Sequence, residues 1–179
     1  MKVILFMAST LNGIIARSNG DEDFLSDDNW IIFSKLAKKY GCFIVGRKTY
    51  QTVQKWKDYN FDHINAKRII VSKNSTFKLN DNYILASSPK DALHKAAKIG
   101  IKNVILTWGS KLNTSFLKEN LIDEIILNVN PILLGQGIKI FSEEKFEANL
   151  KLISVKKISS EIVQLHYILL PHPTLDNHA

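Results

Sequence analysis

The stretch that decides the fold is Cys42–Val53, CFIVGRKTYQTV. An apolar strand pattern at residues 42–45 stops at Gly46, and a short helical pattern then opens with Arg47, Lys48 and Thr49. A buried strand that ends in glycine and turns into a helix leaves free backbone N–H groups at the positive end of the helix dipole. Two cations and a hydroxyl at the same place predict a site for phosphate.

A turn glycine followed by exposed helix cations is the structural alternative for this stretch. Cations at a helix N-terminus oppose the dipole, so the arrangement is unfavourable unless an anion binds there. A second strand–glycine–helix junction occurs at Leu106–Leu112, LTWGSKL. If the two strands are neighbours in one sheet, the two junctions can hold a pyrophosphate from both sides. The polar strand end Ser72–Lys73 can meet a further phosphate, although an ordinary surface role is equally open there.

The composition predicts one compact domain. The chain has 179 residues, 45% of them hydrophobic, and we assign residues 1–170 to the domain and residues 171–179 to a loose tail. No window approaches the roughly 20 apolar residues of a membrane span. Lys2 is followed at once by VILF, which predicts a first strand and not a signal peptide. The single cysteine, Cys42, lies in an apolar run and predicts a reduced structural thiol in a cytoplasmic protein.

The net charge of +7 allows two kinds of partner, nucleic acid or a phosphorylated small molecule. The lysines are spread along the chain, without an RNP aromatic pattern, zinc-finger spacing or a basic heptad arm. Nucleic-acid binding is therefore the weaker interpretation. The five histidines show no ligand spacing, and no metal site is predicted.

Strand and helix patterns alternate along the first two-thirds of the chain. From Ile122 the pattern changes to a long strand, a glycine-rich turn with a short strand, and a closing pair at residues 150–156 and 162–170. This order predicts an α/β fold, a sandwich around a mixed, mostly parallel sheet with an antiparallel C-terminal pair. Residues 9–23 form a polar loop long enough to bind a ligand or to cover one. The earlier strands are predicted at residues 2–7, 42–45, 68–71, 83–86 and 104–107, and the helices at 27–40, 48–54, 89–99 and 111–119.

Four motifs in this order resemble the dihydrofolate-reductase-like superfamily, and within it the reductase domain of the riboflavin-pathway deaminase–reductase. LNGIIA at residues 11–16 is similar to the family's S-L-D-G-x-I-A, and VGRKTY at 45–50 to its V-G-R-x-T-[YW]. WGSKL at 108–112, followed by LIDE at 121–124, is similar to G-G-[SP]-x-L and L-V-D-E. NPILLGQGIKIF at 130–141 is similar to P-x-L-L-G-x-G-x-x-[LF]-F. The resemblance implies a three-layer αβα sandwich.

The resemblance also implies an enzyme, an NADPH-dependent oxidoreductase of the CH–OH or CH–NH class. Its substrate would be a small heterocyclic or ribosylamino compound, phosphorylated in the riboflavin branch. The motif matches assign the pyrophosphate and 2′-phosphate to Gly46, Arg47, Lys48 and Thr49, with Ser72 and Lys73 at the adenosine 2′-phosphate. They assign the nicotinamide carboxamide to backbone groups of Ala8 and Ile15, and the second junction to Trp108, Gly109, Ser110, Lys111 and Leu112. The loop at residues 135–137 and the strand before it match a region that pairs subunits, which implies a homodimer.

The sequence departs from the family at two positions. Trp108–Gly109 stands where the family has Gly-Gly, so the indole could crowd the cofactor or stack on it. Asn12 stands where the riboflavin branch has Asp; an amide can orient a substrate hydroxyl but cannot carry a proton as a carboxylate does. We name Asn12 and Asp28 as candidate catalytic residues, although acids after a Ser cap also suit an ordinary helix start. Water is the proposed proton donor.

Three other functions remain open at this stage. Dihydrofolate reduction is the second enzymatic hypothesis. A non-catalytic nucleotide-binding module, closed by Trp108, is the third, and a basic nucleic-acid binder is the last. The exact substrate and the oligomeric state do not follow from these patterns.

Overall fold

The computed structural model describes residues 1–171, which form ten strands, four α-helices and one 3-10 turn. The strands are β1 (Lys2–Thr10), β2 (Ile14–Ala16), β3 (Cys42–Gly46), β4 (Lys67–Val71), β5 (Tyr83–Ala86), β6 (Asn103–Thr107), β7 (Glu124–Asn130), β8 (Ile138–Lys139), β9 (Leu150–Lys157) and β10 (Val163–Leu169). The helices are α1 (Asp27–Tyr40), α2 (Arg47–Val53), α3 (Pro89–Lys98) and α4 (Ser110–Lys118), and the 3-10 turn is Phe61–His63.

Eight strands form one mixed sheet in the order β5-β4-β3-β6-β1-β7-β10-β9. The six strands from β5 to β7 are parallel, while β10 is antiparallel to both of its neighbours. The predicted fold class, a mostly parallel sheet with an antiparallel C-terminal pair, is confirmed.

Helices cover both faces of the sheet because its central strands are apolar on both sides. In β1, Val3 and Leu5 join the cluster that contains the buried side chains of α3 and α4, whereas Ile4 and Phe6 join the cluster under α1 and α2. Successive side chains of a strand point to opposite faces, so a continuous apolar run is buried on both. The three-layer arrangement follows from this pattern.

A small second sheet was not predicted. β2 lies inside the polar loop after β1 and pairs antiparallel with β8. Gly137 makes this possible, because a Cβ atom there would lie 2.5 Å from the backbone oxygen of Ala16. β2 has only three residues, too few for its alternation to be recognised in the sequence.

Further predictions from the sequence concern the extent of the domain, the C-terminal tail, membrane spans and metal sites. The single domain of residues 1–170 stays a prediction, and most of the predicted tail, residues 172–179, lies outside the described residues. Within residues 1–171, no helix is both long and apolar enough to cross a bilayer. The same residues contain no cluster of His, Cys, Asp or Glu that could hold a metal ion.

The buried side chain of Arg68 holds the 3-10 turn, which also supports the site described in the next section. Arg68 of β4 is only 9% exposed. Its Nε donates to the carbonyl of Phe61 at 2.9 Å, and its terminal nitrogen donates to the carbonyls of Asp62 at 3.0 Å and Ile64 at 2.7 Å. The carbonyls of Phe61 and Ile64 also accept backbone N–H groups, from Ile64 at 3.1 Å and Ala66 at 2.8 Å, so the guanidinium adds a charged hydrogen bond to each and binds the carbonyl of Asp62 as well.

Replacing Arg68 with Met is expected to lower the free energy of unfolding by about 2–3 kcal/mol, because three hydrogen bonds from a charged, buried donor are lost. Urea unfolding at neutral pH measures the change. Lys67→Met, on an exposed neighbour in the same strand, is the control and should stay within about 0.5 kcal/mol of the wild type. Equal midpoints for the two variants would contradict this role of Arg68.

Candidate functional site

Three strand ends meet at one edge of the sheet. β3 lies between β4 and β6, all parallel, so Gly46, Ser72 and Trp108 lie at or just beyond adjacent carboxyl ends. The two glycine junctions are in contact, since a Cβ atom on Gly109 would lie 3.5 Å from Oγ1 of Thr49. The sequence prediction required this neighbourhood, and the structure has it.

The second junction has an unusual backbone. Trp108 and Gly109 both have positive φ angles, 46° and 112°, and the peptide bonds of the described residues are all trans. The left-handed region is costly for a residue with a branched or bulky side chain. Trp108 is held in it by the contacts of its indole, described below.

A large cleft of about 1220 Å³ opens over these strand ends. All of the predicted cofactor residues except Ala8 line it, namely Ile15, Gly46, Arg47, Lys48, Thr49, Ser72, Lys73, Trp108, Gly109, Ser110, Lys111 and Leu112. Side chains predicted from four separate parts of the chain are therefore brought together in one cleft.

The large cleft is electropositive. Its lining has two acids, Glu22 and Glu143, and five cations, Arg47, Lys48, Lys73, Lys111 and Lys139. One of the cations is already paired, because Nζ of Lys139 lies 2.5 Å from Oε1 of Glu143. The guanidinium of Arg47 lies over the ring of Phe77, 5.6 Å from its centroid. This excess of positive charge suits a ligand with several phosphates.

Trp108 forms a wall at one side of the cleft and does not fill it. Its ring is edge-on to Phe33, with the centroids 4.6 Å apart, and to Phe61 at 5.5 Å. Its Nε1 donates a hydrogen bond to Oε2 of Glu22 at 2.9 Å. The 3-10 turn that Arg68 holds supplies Phe61, so that turn supports the indole. The open cleft beside Trp108 argues against a module that this side chain has closed.

A second, small cavity of about 440 Å³ lies on the other side of this wall. Glu22, Trp56 and Trp108 line both spaces. The small cavity is aromatic and acidic: Trp30 and Tyr59 also line it, and among its described lining residues there is no lysine or arginine. Its four acids are Asp21, Glu22, Asp23 and Asp27. Ala8, predicted to contact the nicotinamide, lines this cavity.

Buried asparagines fix the start of α1, which carries Trp30. The side-chain nitrogen of Asn128 donates to Asn29 at 2.9 Å, and that of Asn29 donates to Asn130 at 3.0 Å. Both partners of Asn29 lie on β7, so the first turn of α1 is tied to the sheet centre. The cavity wall that α1 supplies is therefore rigidly placed.

Glu22 differs from the other acids of the small cavity. Burial raises the pKa of Glu22 from 4.5 to about 7, and the hydrogen bond from Trp108 opposes part of that rise. Asp23 behaves in the opposite way, because a hydrogen bond from Nε of Arg17 at 2.6 Å lowers the pKa of its carboxyl. Asp27 accepts a hydrogen bond from the hydroxyl of Tyr59. Glu22 is thus a carboxyl that can be protonated near neutral pH.

The two predicted catalytic residues lie elsewhere. Asn12 is exposed, accepts a hydrogen bond from Oγ1 of Thr10 at 2.7 Å and donates to the carbonyl of Leu134 at 2.7 Å. Neither Asn12 nor Asp28 lines either space, although Asp27, one residue before Asp28, lines the small cavity. Asn12 links the end of β1 to the loop after β7, and catalytic roles for the two residues stay predictions.

Sequence reasoning missed the residues of the small cavity, above all Glu22. The signal available was the acidic run Asp21–Asp23 in a loop that was already predicted to bind or to cover a ligand. Three acids in a row do not reveal which one is covered. The partner of Glu22, Trp108, is 86 residues away along the chain, so only tertiary packing distinguishes it.

Replacing Glu22 with Gln is expected to change how stability depends on pH. Because the folded state binds the Glu22 proton more tightly than the unfolded chain, wild-type stability should fall as pH rises from about 4.5 to about 7. Glu22→Gln should lack this loss and gain ~1–2 kcal/mol over the wild type at pH 8, a value reduced for the partial exposure of the side chain. Urea unfolding at several pH values measures the difference. Glu161→Gln, in the exposed β9–β10 turn, should follow the wild type at every pH.

Comparison with known proteins points to one family. The sequence signature of the RibD C-terminal domain matches residues 1–164. Two Bacillus subtilis (strain 168) proteins are similar over most of the chain: uncharacterized protein YyaP, 28% identical over 93% of this chain and 94% of its own, and uncharacterized protein YwjB, 29% identical over 93% of this chain and 97% of its own.

Solved structures share the fold. The putative riboflavin biosynthesis protein from Shewanella sp. PV-4 superposes with a TM-score of 0.78 at 23% identity, over 96% of this chain and 100% of that one. The diaminohydroxyphosphoribosylaminopyrimidine deaminase/5-amino-6-(5-phosphoribosylamino)uracil reductase from Thermotoga maritima gives a TM-score of 0.74 at 20% identity. That superposition covers 94% of this chain but only 56% of the Thermotoga chain.

Proposed function

The chain belongs to the RibD C-terminal domain family, and from this premise we propose that it is an NADPH-dependent reductase of the riboflavin-pathway type. The substrate in this proposal is a small nitrogen-containing heterocycle or ribosylamino compound. The single observation that carries the proposal is the electropositive cleft over the ends of β3, β4 and β6, which shares the Trp108 wall with an aromatic cavity.

The residues of the cleft fit a dinucleotide with a 2′-phosphate. The two glycine junctions, in contact at Thr49 and Gly109, offer backbone N–H groups for the pyrophosphate. Arg47 and Lys73 line the cleft at neighbouring strand ends and would pair with the 2′-phosphate, which needs charged partners where a free ribose does not. NADPH, when bound, supplies a hydride from C4 of its nicotinamide ring.

The protein contributes mainly by placing two ligands in contact. Ile15 and Gly109 line the cleft beside Trp108, and the small cavity begins at the same wall. The cavity would hold the planar part of the substrate between Trp30, Trp56 and Tyr59, which also exclude water. Any phosphate of the substrate would lie outside this cavity, because the described lining residues include four carboxyls and no cation.

NADPH is expected to raise the melting temperature of the protein, and NADH is expected to raise it much less. Arg47→Ala should weaken NADPH binding about tenfold or more, a loss of about 1.4 kcal/mol or more, and leave NADH nearly unchanged. Thermal-shift titrations with both nucleotides measure this, with Lys35→Ala on the outer surface of α1 as the control. Equal losses for both nucleotides would contradict the 2′-phosphate assignment.

A turnover screen tests the reaction itself. NADPH oxidation is followed at equal concentrations of 5-amino-6-(5-phosphoribosylamino)uracil and of dihydrofolate. Reduction of the first supports the riboflavin-type function. Turnover of dihydrofolate alone would replace it with the second enzymatic hypothesis, and no stabilisation by either nucleotide would refute both.

We also propose a homodimer, although through a different surface from the one that the sequence suggested. β7 is paired on both edges, with β1 and β10, so it has no free edge. β9 is the last strand of the sheet, and it exposes Leu152, Ile153 and Val155 at 50%, 45% and 56%. β9 also carries Lys151, Lys156 and Lys157, but its large apolar side chains, exposed at the edge of the sheet, favour pairing with a second copy.

Val155→Lys is expected to shift the protein from dimer to monomer, because a charge would be placed on the paired edge. Sedimentation velocity at micromolar concentration measures the mass. Ile31→Lys makes the same change on the exposed face of α1 and should leave the mass unchanged. A monomeric wild type would refute the dimer.

A further inference from the structure

We propose that the small cavity holds the heterocycle of the substrate and that Glu22 delivers a proton to the nitrogen of the C=N bond that is reduced. The inference rests on the proposed reductase function and deepens it by naming the group that supplies the proton. Four observations support it: the position of Glu22, its hydrogen bond, the charge of the two spaces, and the protonation of its carboxyl.

The position of Glu22 is the first observation. It is one of three residues that line both spaces, and the other two, Trp56 and Trp108, carry no acidic group. Among the described residues, Glu22 is therefore the one acid that faces a cofactor in the large cleft and a substrate in the small cavity together. A proton donor must lie within hydrogen-bond reach of the atom that it protonates.

The hydrogen bond from Trp108 directs the carboxyl. Because the indole Nε1 is a donor only, it binds Oε2 of Glu22 at 2.9 Å and leaves Oε1 available for a ligand. The indole is itself fixed by Phe33 and Phe61. Trp108 is thus a positioning residue for Glu22, which gives a role to a side chain that departs from the Gly-Gly of the family.

The large cleft and the small cavity differ in charge, and this difference indicates which ligand each would bind. Apart from Glu22, the described lining residues of the small cavity include three acids and no cation, so the cavity favours an amino-substituted or protonated ring over an anionic one. All three of these acids are engaged, Asp21 with Asn19, Asp23 with Arg17 and Asp27 with Tyr59. On the cleft side Glu22 faces a lining that carries Arg47, Lys48, Lys73, Lys111 and the ion pair of Lys139 with Glu143.

The protonation state fits the role. Burial raises the pKa of Glu22 to about 7, so the carboxyl carries a proton in a large fraction of molecules at neutral pH. In the step itself, bound NADPH would supply a hydride with its electron pair and would be oxidised by two electrons. A ribosylamino substrate would react as its open-chain imine, formed when the C–O bond of the ribose ring opens and the N–H proton moves to the released oxygen. As the imine carbon takes the hydride, the π electron pair of C=N would move to nitrogen, which would take the proton from Glu22. The product would be an amine, and the Glu22 carboxylate would regain a proton from solvent.

The first experiment needs no turnover. Trp30 packs against Trp108, and Trp56 lines the large cleft together with Trp108. These are the three tryptophans of the chain, so intrinsic tryptophan fluorescence should report on the charge of Glu22. A titration of the ligand-free wild type should show a transition near pH 7. Glu22→Gln should abolish it, and Glu161→Gln should keep it. Trp108→Phe removes the hydrogen bond that lowers the pKa, so the transition, read from the remaining tryptophans, should move to higher pH. A wild type without the transition overturns the proposal.

The second experiment measures the pH profile of kcat with 5-amino-6-(5-phosphoribosylamino)uracil and, in parallel, dihydrofolate. The wild-type rate should fall as pH rises above about 7, since the carboxyl must be protonated. Glu22→Gln should lower kcat by about 10²-fold or more and remove that limb of the profile, while NADPH still raises the melting temperature.

The outcomes separate the two proposals. If Glu22→Gln keeps both the wild-type rate and its pH profile, the role of Glu22 is overturned and the reductase function stands. If the wild type binds NADPH but reduces neither compound, the proposed reaction and the role of Glu22 both fall. Glu161→Gln should match the wild type in every assay.

Discussion

The site depends on the parallel pairing of β3 between β4 and β6. This pairing brings three strand ends, from residues 46, 72 and 108, to one edge of the sheet. Each of these strands is buried on both faces, so its polar continuation can begin only where the strand leaves the sheet. The concentration of cations and backbone N–H groups at this edge is a consequence of the topology.

Trp108 divides that edge into two chemical environments. On one side the cleft carries an excess of lysine and arginine, and on the other the cavity carries carboxyls and aromatic rings. Glu22 lies at the boundary, bonded to the indole. The two proposed ligands differ in charge in the same way, since a dinucleotide is polyanionic and a nitrogen heterocycle is neutral or cationic. Opposite charges on the two sides would therefore sort the ligands before any specific contact is made.

The two departures from the family differ in their consequences. Trp108 is tolerated because it packs in an aromatic cluster from α1, β3 and the 3-10 turn, and the large cleft stays open beside it. Asn12, in place of an Asp, bonds to Thr10 and to the loop after β7. A carboxylate could accept the first of these bonds but could not donate the second. Asn12 thus suits a loop anchor, and in the proposed reaction Glu22 would supply the acid.

The sequence by itself determined the layers of the fold and most of the cleft. Apolar runs such as 42–45 and 104–107, each ended by a polar junction with glycine, are local signals, and parallel strands must end at a common edge. Tertiary structure alone decided which acid is covered by an indole, that Asp27 and not Asp28 faces the small cavity, and that β2 pairs with β8. These features rest on contacts between residues up to 125 positions apart, as Ile14 and Lys139 are, and no local pattern encodes burial by a distant segment.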